Sequence, residues 1–305
     1  MSVHGAPVAA QPAIRRFASP RARASANAQG LDIALITGSG PNGRVILHDL
    51  AGARSVHAAA EAPAVGRPTR YEDLPTSLGR KLIARRLTES MQQAPHFYAR
   101  VDCCIDAVLA LRTAMAGRLK KQGDKLSLND FVIHAVAQAL RDVPAVNVSF
   151  LGAAIRRYQQ VHVAVAVALD EGLVTPVIAD ADCKGIAQIS REMRLLAAQA
   201  RSGTLPAGAS AGGTFSVSNL GTQGVREFTA VINPPQAAIL AVGMAEPRPV
   251  VRAGQLAVAT MMTVTLSCDH RTIDGTLAAQ WLAAFKRRLE SPKEEDLWTS
   301  IQTAS

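Results

Sequence analysis

A histidine near the C-terminus has the surroundings of a general base. The segment Ser267–Gly275, SCDHRTIDG, follows an apolar run, so we predict that His270 lies in a turn where a strand ends. Asp274 follows four residues later, at the predicted start of a helix. A neutral imidazole, with an unperturbed pKa of about 6.5, is suited to take a proton from a thiol. The same pattern also fits a histidine hydrogen-bonded in a tight turn, with Asp274 as an ordinary N-cap.

A second candidate stretch is the alternating run Gly212–Gly221, GGTFSVSNLG. Alternation places Thr214, Ser216 and Ser218 on one face of a strand, with apolar residues on the other. A hydroxyl on such a strand can donate a hydrogen bond to a developing oxyanion. Serines in strands are also common without any catalytic role, so the run alone does not establish a site.

Helices and strands that could position these residues alternate along the chain. Helical patterns are predicted over 78–92, 106–121, 128–142, 186–201 and 275–290, with a capping box at 127–130. Strand patterns are predicted over 96–105, 161–169, 173–178, 213–218, 237–243 and 256–267. Because the strands look antiparallel and helices lie between them, the sequence predicts an α+β fold with a mixed-sheet sandwich.

Composition narrows the class of protein further. The 305 residues are 48% hydrophobic and 19% charged, which is enough for a sizeable core. The longest apolar run falls far short of the roughly 20 residues that span a bilayer, so no membrane span is expected. The net charge is +9, but basic residues are scattered and aromatic residues make up 4%, so acidic proteins or anionic metabolites are preferred to nucleic acid as partners. Four cysteines without a C-x-x-C pair indicate reduced thiols inside a cell, and no metal-ligand spacing is found.

From Leu74 onward the chain resembles the catalytic core of the dihydrolipoyl acyltransferases of 2-oxo acid dehydrogenase complexes. Within that family it looks most like the acetyl-transferring members of pyruvate dehydrogenase complexes. The matching stretches are PHFYARVDCCIDAVLALR, LSLNDFVIHAVAQALRDVPAVN, EGLVTPVIADADCKGIAQIS, GGTFSVSNLGTQGVREFTAVINPPQAAILAVG and SCDHRTIDG.

The resemblance implies a chloramphenicol acetyltransferase-like fold that forms a trimer, with active sites between subunits, and then a cubic or icosahedral core. It implies that His270 is the general base, that Ser218 stabilises the oxyanion, and that Asp274 orders the histidine loop against nearby arginines. The implied reaction moves an acyl group, with acetyl favoured, between a dihydrolipoyl thiol and coenzyme A. Rival interpretations are a non-catalytic core or dehydrogenase-binding scaffold, the succinyl or branched-chain acyltransferase of a related complex, and a coenzyme A acyltransferase with a small free acceptor.

Residues 17–51 resemble the family's peripheral subunit-binding domain, which implies dihydrolipoyl dehydrogenase and the 2-oxo acid decarboxylase as partners. Arg21 and Arg44 match basic positions that grip an acidic partner, while Ala22 stands where a second basic residue is common. The stretch 23–27, RASAN, departs from the family, so weaker or selective binding is expected.

Two further residues depart from the family within the catalytic region. His134 and Phe150 replace residues that are commonly Lys and Trp in the family. Neither is expected to touch the inferred site.

The predicted organisation is a linker-like segment 1–16, a small helical domain 17–51, an Ala/Pro-rich linker 52–72 and a catalytic core 73–305. The chain has no lipoyl-bearing Asp-Lys-Ala turn, so the lipoyl group is expected from a domain not present here. Residues 1–31 contain no acid, which also allows a mitochondrial transit segment. Because the small domain already begins at 17, a bacterial cytoplasmic location is favoured over the mitochondrial matrix.

Overall fold

The computed structural model describes residues 17–51, 70–120, 125–169 and 172–298. The chain folds as two compact units that separate between Leu74 and Pro75. The predicted N-terminal segment 1–16 and most of the predicted linker, residues 52–69, lie outside the described residues. Within the described ranges, no helix is both long enough and apolar enough to cross a membrane.

The smaller unit packs one helix against short 3-10 turns. Helix α1, Pro20–Ala28, begins at Ser19, whose hydroxyl accepts a hydrogen bond from the Ala22 amide at 3.2 Å. The backbone of Ser19 also donates to the Val45 carbonyl at 2.9 Å, which fixes the following loop beside the start of the helix. The 3-10 turns are Ile33–Leu35, Pro41–Gly43 and Leu47–Leu50. Six buried side chains form its core, namely Ala22, Ala26, Leu31, Ile36, Val45 and Leu50.

The larger unit contains six helices in its described residues. They are α2 Leu78–Gln93, α3 Asp106–Lys120, α4 Leu128–Asp142, α5 Ile186–Arg201, α6 Gly275–Glu290 and α7 Glu294–Trp298. The predicted capping box is confirmed at α4, where the Asp130 carboxylate accepts from the Ser127 amide at 2.7 Å and the Ser127 hydroxyl accepts from the Asp130 amide at 3.3 Å. Local signals of this kind end and begin helices within one turn, so they can be found in sequence alone.

A six-stranded mixed sheet forms the centre of this unit, with strand order β1-β10-β9-β8-β4-β7. Strands β1, β10 and β9 are antiparallel, whereas β8 runs parallel to both β9 and β4. Two small two-stranded sheets, β2-β3 and β5-β6, accompany it. The strands are β1 His96–Cys104, β2 Val148–Phe150, β3 Ile155–Arg157, β4 Val163–Val165, β5 Val167–Leu169, β6 Gly172–Val174, β7 Val177–Ile178, β8 Phe215–Asn219, β9 Ala238–Arg252 and β10 Gln255–Asp269.

Strand β9 is longer than the sequence predicts. It continues past the predicted end at residue 243 to Arg252, although Pro247 and Pro249 lie within the extension. Strand β8 pairs with β9 only as far as Val242, so the side of β9 that faces away from β10 has no strand to pair with beyond this residue in the described part of the chain. Prolines, which lack an amide donor, are therefore tolerated in this part of β9. The strands predicted over 161–169 and 173–178 are each interrupted in the structure. Residues 167–169 and 172–174 pair as β5 and β6, while 163–165 and 177–178 join the main sheet as β4 and β7.

Helix α6 packs its apolar side against the core and contacts strand β8. Trp281, Phe285 and Leu289 lie four residues apart on this predicted helix and are buried, whereas Leu277 is only partly buried. The Trp281 ring lies 5.1 Å from that of Phe215 on β8 and is stacked on Phe285 at 5.6 Å. Aromatic packing therefore fixes β8 against the helix that follows the His270 turn.

Candidate active site

His270 is an exposed residue in the turn that follows β10. Its backbone amide donates to the Pro95 carbonyl at 3.0 Å, just before β1 begins. The imidazole lies edge-on to the Phe97 ring, with 5.1 Å between the ring centroids. The predicted position at the end of a strand is confirmed, and the ring is presented to solvent rather than packed in the core.

The turn itself is organised by Asp269 rather than by Asp274. The Asp269 carboxylate accepts hydrogen bonds from Nε and Nη2 of Arg271 at 2.9 and 2.6 Å and from the Arg271 amide at 3.1 Å. The hydrogen bond to this buried carboxylate raises the pKa of Arg271, which favours the charged guanidinium. The Asp269 carbonyl also accepts from the amides of Thr272 and Ile273, both at 3.0 Å.

Asp274 caps helix α6. Its carboxylate accepts a hydrogen bond from the Leu277 amide at 2.8 Å, which is the N-cap arrangement. The expected ion pair between Asp274 and a nearby arginine is therefore corrected, because the loop's arginine, Arg271, is bound by Asp269.

Phe150 contacts the turn that carries His270, through the arginine that follows the histidine. The Arg271 guanidinium lies 4.2 Å from the centroid of the Phe150 ring. This contact could not be predicted from the sequence because Phe150 belongs to β2, more than a hundred residues earlier in the chain. His134, by contrast, is buried within α4.

Ser218 lies near the end of β8 and is partly exposed. Of the three predicted hydroxyls on this strand, Thr214 bonds the backbone of His162 and Ser216 bonds Gln236. Within the described residues, no side-chain hydrogen bond engages the Ser218 hydroxyl. Ser218 is thus the member of the three that can donate to a ligand.

The turn after Ser218 is held by the neighbouring asparagine. The Asn219 side chain donates to Asn129 at the start of α4 at 3.0 Å and accepts from the Gly221 amide at 2.9 Å. A Cβ at Gly221 would lie 2.5 Å from the Gly243 carbonyl oxygen, so the close approach of the two backbones requires glycine there.

The loop before β9 connects the beginning of β8 to the end of β10. The Gln236 side chain bonds Ser216 of β8 and donates to the Gly213 carbonyl at 3.0 Å. The next residue, Ala237, donates to the Val148 carbonyl at 3.1 Å, and its own carbonyl accepts from the Asp269 amide at 2.8 Å. Two cavities, of 640 and 160 Å³, border the segment 234–236 of this loop.

Ser218 and His270 do not meet within one chain. Ser218 is aligned through Ala241 with Thr265 of β10, five residues before His270. With about 3.3 Å per residue and about 4.8 Å per strand, the two side chains are separated by roughly 19 Å along the sheet. The sheet of a single chain therefore does not bring Ser218 and His270 together.

The cysteines do not supply a nucleophile of their own at this site. All four are free thiols, and burial raises the pKa of Cys103 and of Cys268 to about 12. Both thiols stay protonated at neutral pH. No group of three or more His, Cys, Asp or Glu residues in the part of the chain that the structure describes could hold a metal ion.

In the smaller unit, Arg21 and Arg44 are exposed, as a partner-binding role requires. Ala22, which stands where a second basic residue is common in the family, is fully buried in the core of this unit. Arg23, in the stretch 23–27 that departs from the family, is exposed. A Cβ at Gly38 would lie 2.4 Å from the Gly43 carbonyl oxygen, so the loop that presents Arg44 depends on a tight crossing of backbone.

Comparison with known proteins covers both units. Residues 68–295 match the family described as 2-oxoacid dehydrogenases acyltransferase (catalytic domain), and residues 16–51 match the e3 binding domain. The chain is 45% identical over 291 residues to a dihydrolipoyllysine-residue acetyltransferase component of pyruvate dehydrogenase complex from Rickettsia bellii, covering 94% of this chain and 69% of that protein. The corresponding component from Rhizobium meliloti is 45% identical over 303 residues, covering 91% of this chain and 68% of that protein.

Solved structures agree with the fold. A probable dihydrolipoamide acetyltransferase from Listeria monocytogenes is similar with a TM-score of 0.70 and 35% identity, over 77% of this chain and 98% of that one. A dihydrolipoamide acetyltransferase from Azotobacter vinelandii has a TM-score of 0.71 and 32% identity, over 73% and 92%. The predicted α+β mixed-sheet acyltransferase core is confirmed, and the chain belongs to the 2-oxoacid dehydrogenase acyltransferase family.

Proposed function

We propose that this protein transfers an acetyl group between a dihydrolipoyl thiol and coenzyme A, as the core component of a pyruvate dehydrogenase complex. The observation that carries the proposal is the placement of Ser218 and His270 at two exposed strand ends. The study of the Azotobacter vinelandii relative concerned the catalytic roles of a serine, a histidine 52 residues later and an asparagine four residues after the histidine. In this chain His270 follows Ser218 by 52 residues, and Asp274 follows His270 by four.

The chemistry needs one base and one oxyanion donor. His270 removes the proton from the attacking thiol, whose sulfur forms a bond to the carbonyl carbon of the thioester. The Ser218 hydroxyl donates a hydrogen bond to the oxyanion of the tetrahedral intermediate. The intermediate then collapses, its bond to the first sulfur breaks, and the departing thiolate takes the proton back from His270. Asp274 supports this arrangement by starting α6 directly after the turn.

The complete site would form between two copies of the chain. Because the two half-sites are about 19 Å apart along one sheet, Ser218 of one copy must meet His270 of another. In a closed ring of identical chains, the Ser218 side of one chain meets the His270 side of the next at every interface, which is a head-to-tail contact. A trimer is the smallest ring with contacts of this kind. One relative of known structure, 33% identical to this chain, forms the cubic core of a pyruvate dehydrogenase multienzyme complex.

The scaffold interpretation is less well supported. A scaffold subunit would not require the Ser218 hydroxyl to be available near a strand end. It would also not require the exposed imidazole of His270 in a turn closed by an ion pair. Coenzyme A and a lipoyl group carried by another domain are the substrates that we propose.

We also propose that residues 17–51 bind dihydrolipoyl dehydrogenase or the decarboxylase through Arg21, Arg23 and Arg44. The proposed location is the cytoplasm of a bacterium, which the Rickettsia and Rhizobium relatives support.

Acetyl transfer from acetyl-coenzyme A to free dihydrolipoamide tests the proposal without a lipoyl domain. We expect His270→Ala to lower kcat by about 10² to 10⁴-fold with little change in KM for acetyl-coenzyme A, since the loss lies in the transition state. His48→Ala, at an exposed histidine of the smaller unit, is the control and should be fully active. Full activity of His270→Ala would favour the scaffold, and faster transfer from succinyl- or branched-chain acyl-coenzyme A would overturn the choice of acetyl.

A further inference from the structure

The turn that carries His270 is closed by an ion pair between the residues on either side of the histidine. The Asp269 side chain is 5% exposed and the Arg271 side chain 32% exposed. Arg271 meets the carboxylate with two side-chain nitrogens, at 2.9 and 2.6 Å, and with its own amide at 3.1 Å. A bidentate, charge-assisted pair of this kind has a fixed geometry, so it limits the backbone angles available to His270 between them.

The pair is also fixed to elements outside the turn. The Arg271 guanidinium lies 4.2 Å above the Phe150 ring at the end of β2, a cation–π contact. The Asp269 amide donates to the Ala237 carbonyl at 2.8 Å, and the Ala237 amide donates to the Val148 carbonyl of the same strand β2 at 3.1 Å. The ion pair thus connects the histidine turn to β2 by two independent routes.

The imidazole has few other constraints. Within the described part of the chain, the ring of His270 contacts Phe97, and no hydrogen bond to either ring nitrogen is present. Asp274, the other carboxylate of the loop, is occupied as the cap of α6. The direction in which the imidazole points is consequently set by the backbone of the turn.

We infer that Asp269, Arg271 and Phe150 are positioning residues for the acyl transfer, holding the His270 turn so that the imidazole meets the thiol presented by the neighbouring half-site. This inference rests on the proposed function of His270. A shift of about 1 Å at a reacting group can cost on the order of 10²-fold in rate, so loss of the ion pair should act on kcat although these residues do not touch the substrate.

The test is Arg271→Met against the matched control Arg141→Met. Arg141 binds Asp182 at 2.8 Å, and the side chains are 44% and 3% exposed, so this pair resembles Asp269–Arg271 in burial but lies at the end of α4. Both variants leave a buried carboxylate without its arginine, and we expect both to lower the melting temperature by similar amounts. Only Arg271→Met should lower kcat, by about 10 to 10²-fold, with KM for acetyl-coenzyme A within about twofold of wild type.

Conservative variants keep the test decisive if Arg271→Met folds poorly. Arg271→Lys retains the charge but not the two parallel hydrogen bonds, so its kcat should lie between those of wild type and Arg271→Met. Phe150→Trp keeps an aromatic face and should preserve kcat, whereas Phe150→Leu should lower it about two- to fivefold.

Two results would overturn the inference: kcat of Arg271→Met within about twofold of wild type, or an equal loss in Arg141→Met. The proposed function is judged separately by His270→Ala. If that variant is inactive while Arg271→Met is fully active, the positioning role alone is wrong.

Discussion

Mixed assembly of two inactive variants would test whether each site is shared between chains. Ser218→Ala removes the proposed oxyanion donor and His270→Ala removes the proposed base, so if sites are shared, each homogeneous assembly lacks one half of every site. The separation of about 19 Å between the two positions means that neither chain can complete a site by itself. When the two variants are unfolded together and refolded in equal amounts, some sites receive Ser218 from one variant and His270 from the other.

The expected recovery follows from counting neighbours. A functional site needs an intact Ser218, supplied by a His270→Ala chain, and an intact His270, supplied by a neighbouring Ser218→Ala chain. In an equal mixture, each of these two positions is filled by the required variant with a probability of one half. About a quarter of the sites should therefore regain wild-type activity in a head-to-tail ring. The background is low, since loss of one oxyanion donor costs about 10² to 10³-fold and loss of the base about 10² to 10⁴-fold.

Acetyl transfer to dihydrolipoamide by the refolded mixture is the measurement. Wild type refolded with the double variant provides the control: shared sites predict that about a quarter stay active, whereas sites within one chain predict about half. A mixture of the single variants that shows no activity above either variant alone would refute the shared site, provided that light scattering confirms co-assembly.

Three further predictions concern other parts of the molecule. Arg23→Ala and Arg44→Ala should each weaken binding of an acidic dehydrogenase partner at low salt and reduce the salt dependence of that binding. The control Arg156→Ala, on β3, should change neither. Equal affinities of all three variants by titration calorimetry would contradict the assignment of Arg23 and Arg44 to the partner-binding surface. Asp274→Asn should preserve the α6 cap and the melting temperature, whereas Asp274→Ala should cost about 1 kcal/mol in the free energy of unfolding, as denaturant titration can measure. Hydrogen bonds from the Ser39 hydroxyl and the Ile46 amide lower the pKa of Asp49. The contribution of Asp49 to the stability of the smaller unit is therefore complete above about pH 4 and is lost as the pH falls through the lowered pKa. Nuclear magnetic resonance of the Ser39 amide should follow this loss, and Asp49→Asn should abolish the pH dependence.

Features that depend on near neighbours could be predicted from the sequence. The capping box at Ser127 and Asp130 needs only three residues, and the stripe of Trp281, Phe285 and Leu289 needs only helical spacing. The position of His270 at the end of a strand follows in the same way from the apolar run before it.

Features that depend on distant strands could not be predicted in this way. The D-H-R sequence contains both members of the ion pair, but Asp269 is hydrogen-bonded to Ala237 and Arg271 lies over Phe150, and both partners are distant in the sequence. Likewise, only the fold shows that Ala22 is a core residue and that Arg23 is exposed. The register that separates Ser218 from His270 arises from the strand order, in which β8 lies beside β9 rather than β10.

The aromatic stack on α6 gives the two units different optical properties. Trp281 is one of two tryptophans in the chain, and it is fully buried between Phe215 and Phe285. Residues 17–51 contain neither tryptophan nor tyrosine. Fluorescence excited near 295 nm therefore reports on the acyltransferase unit, while unfolding of the smaller unit changes circular dichroism alone. A stability measurement by fluorescence would overlook every substitution that acts only on the partner-binding unit.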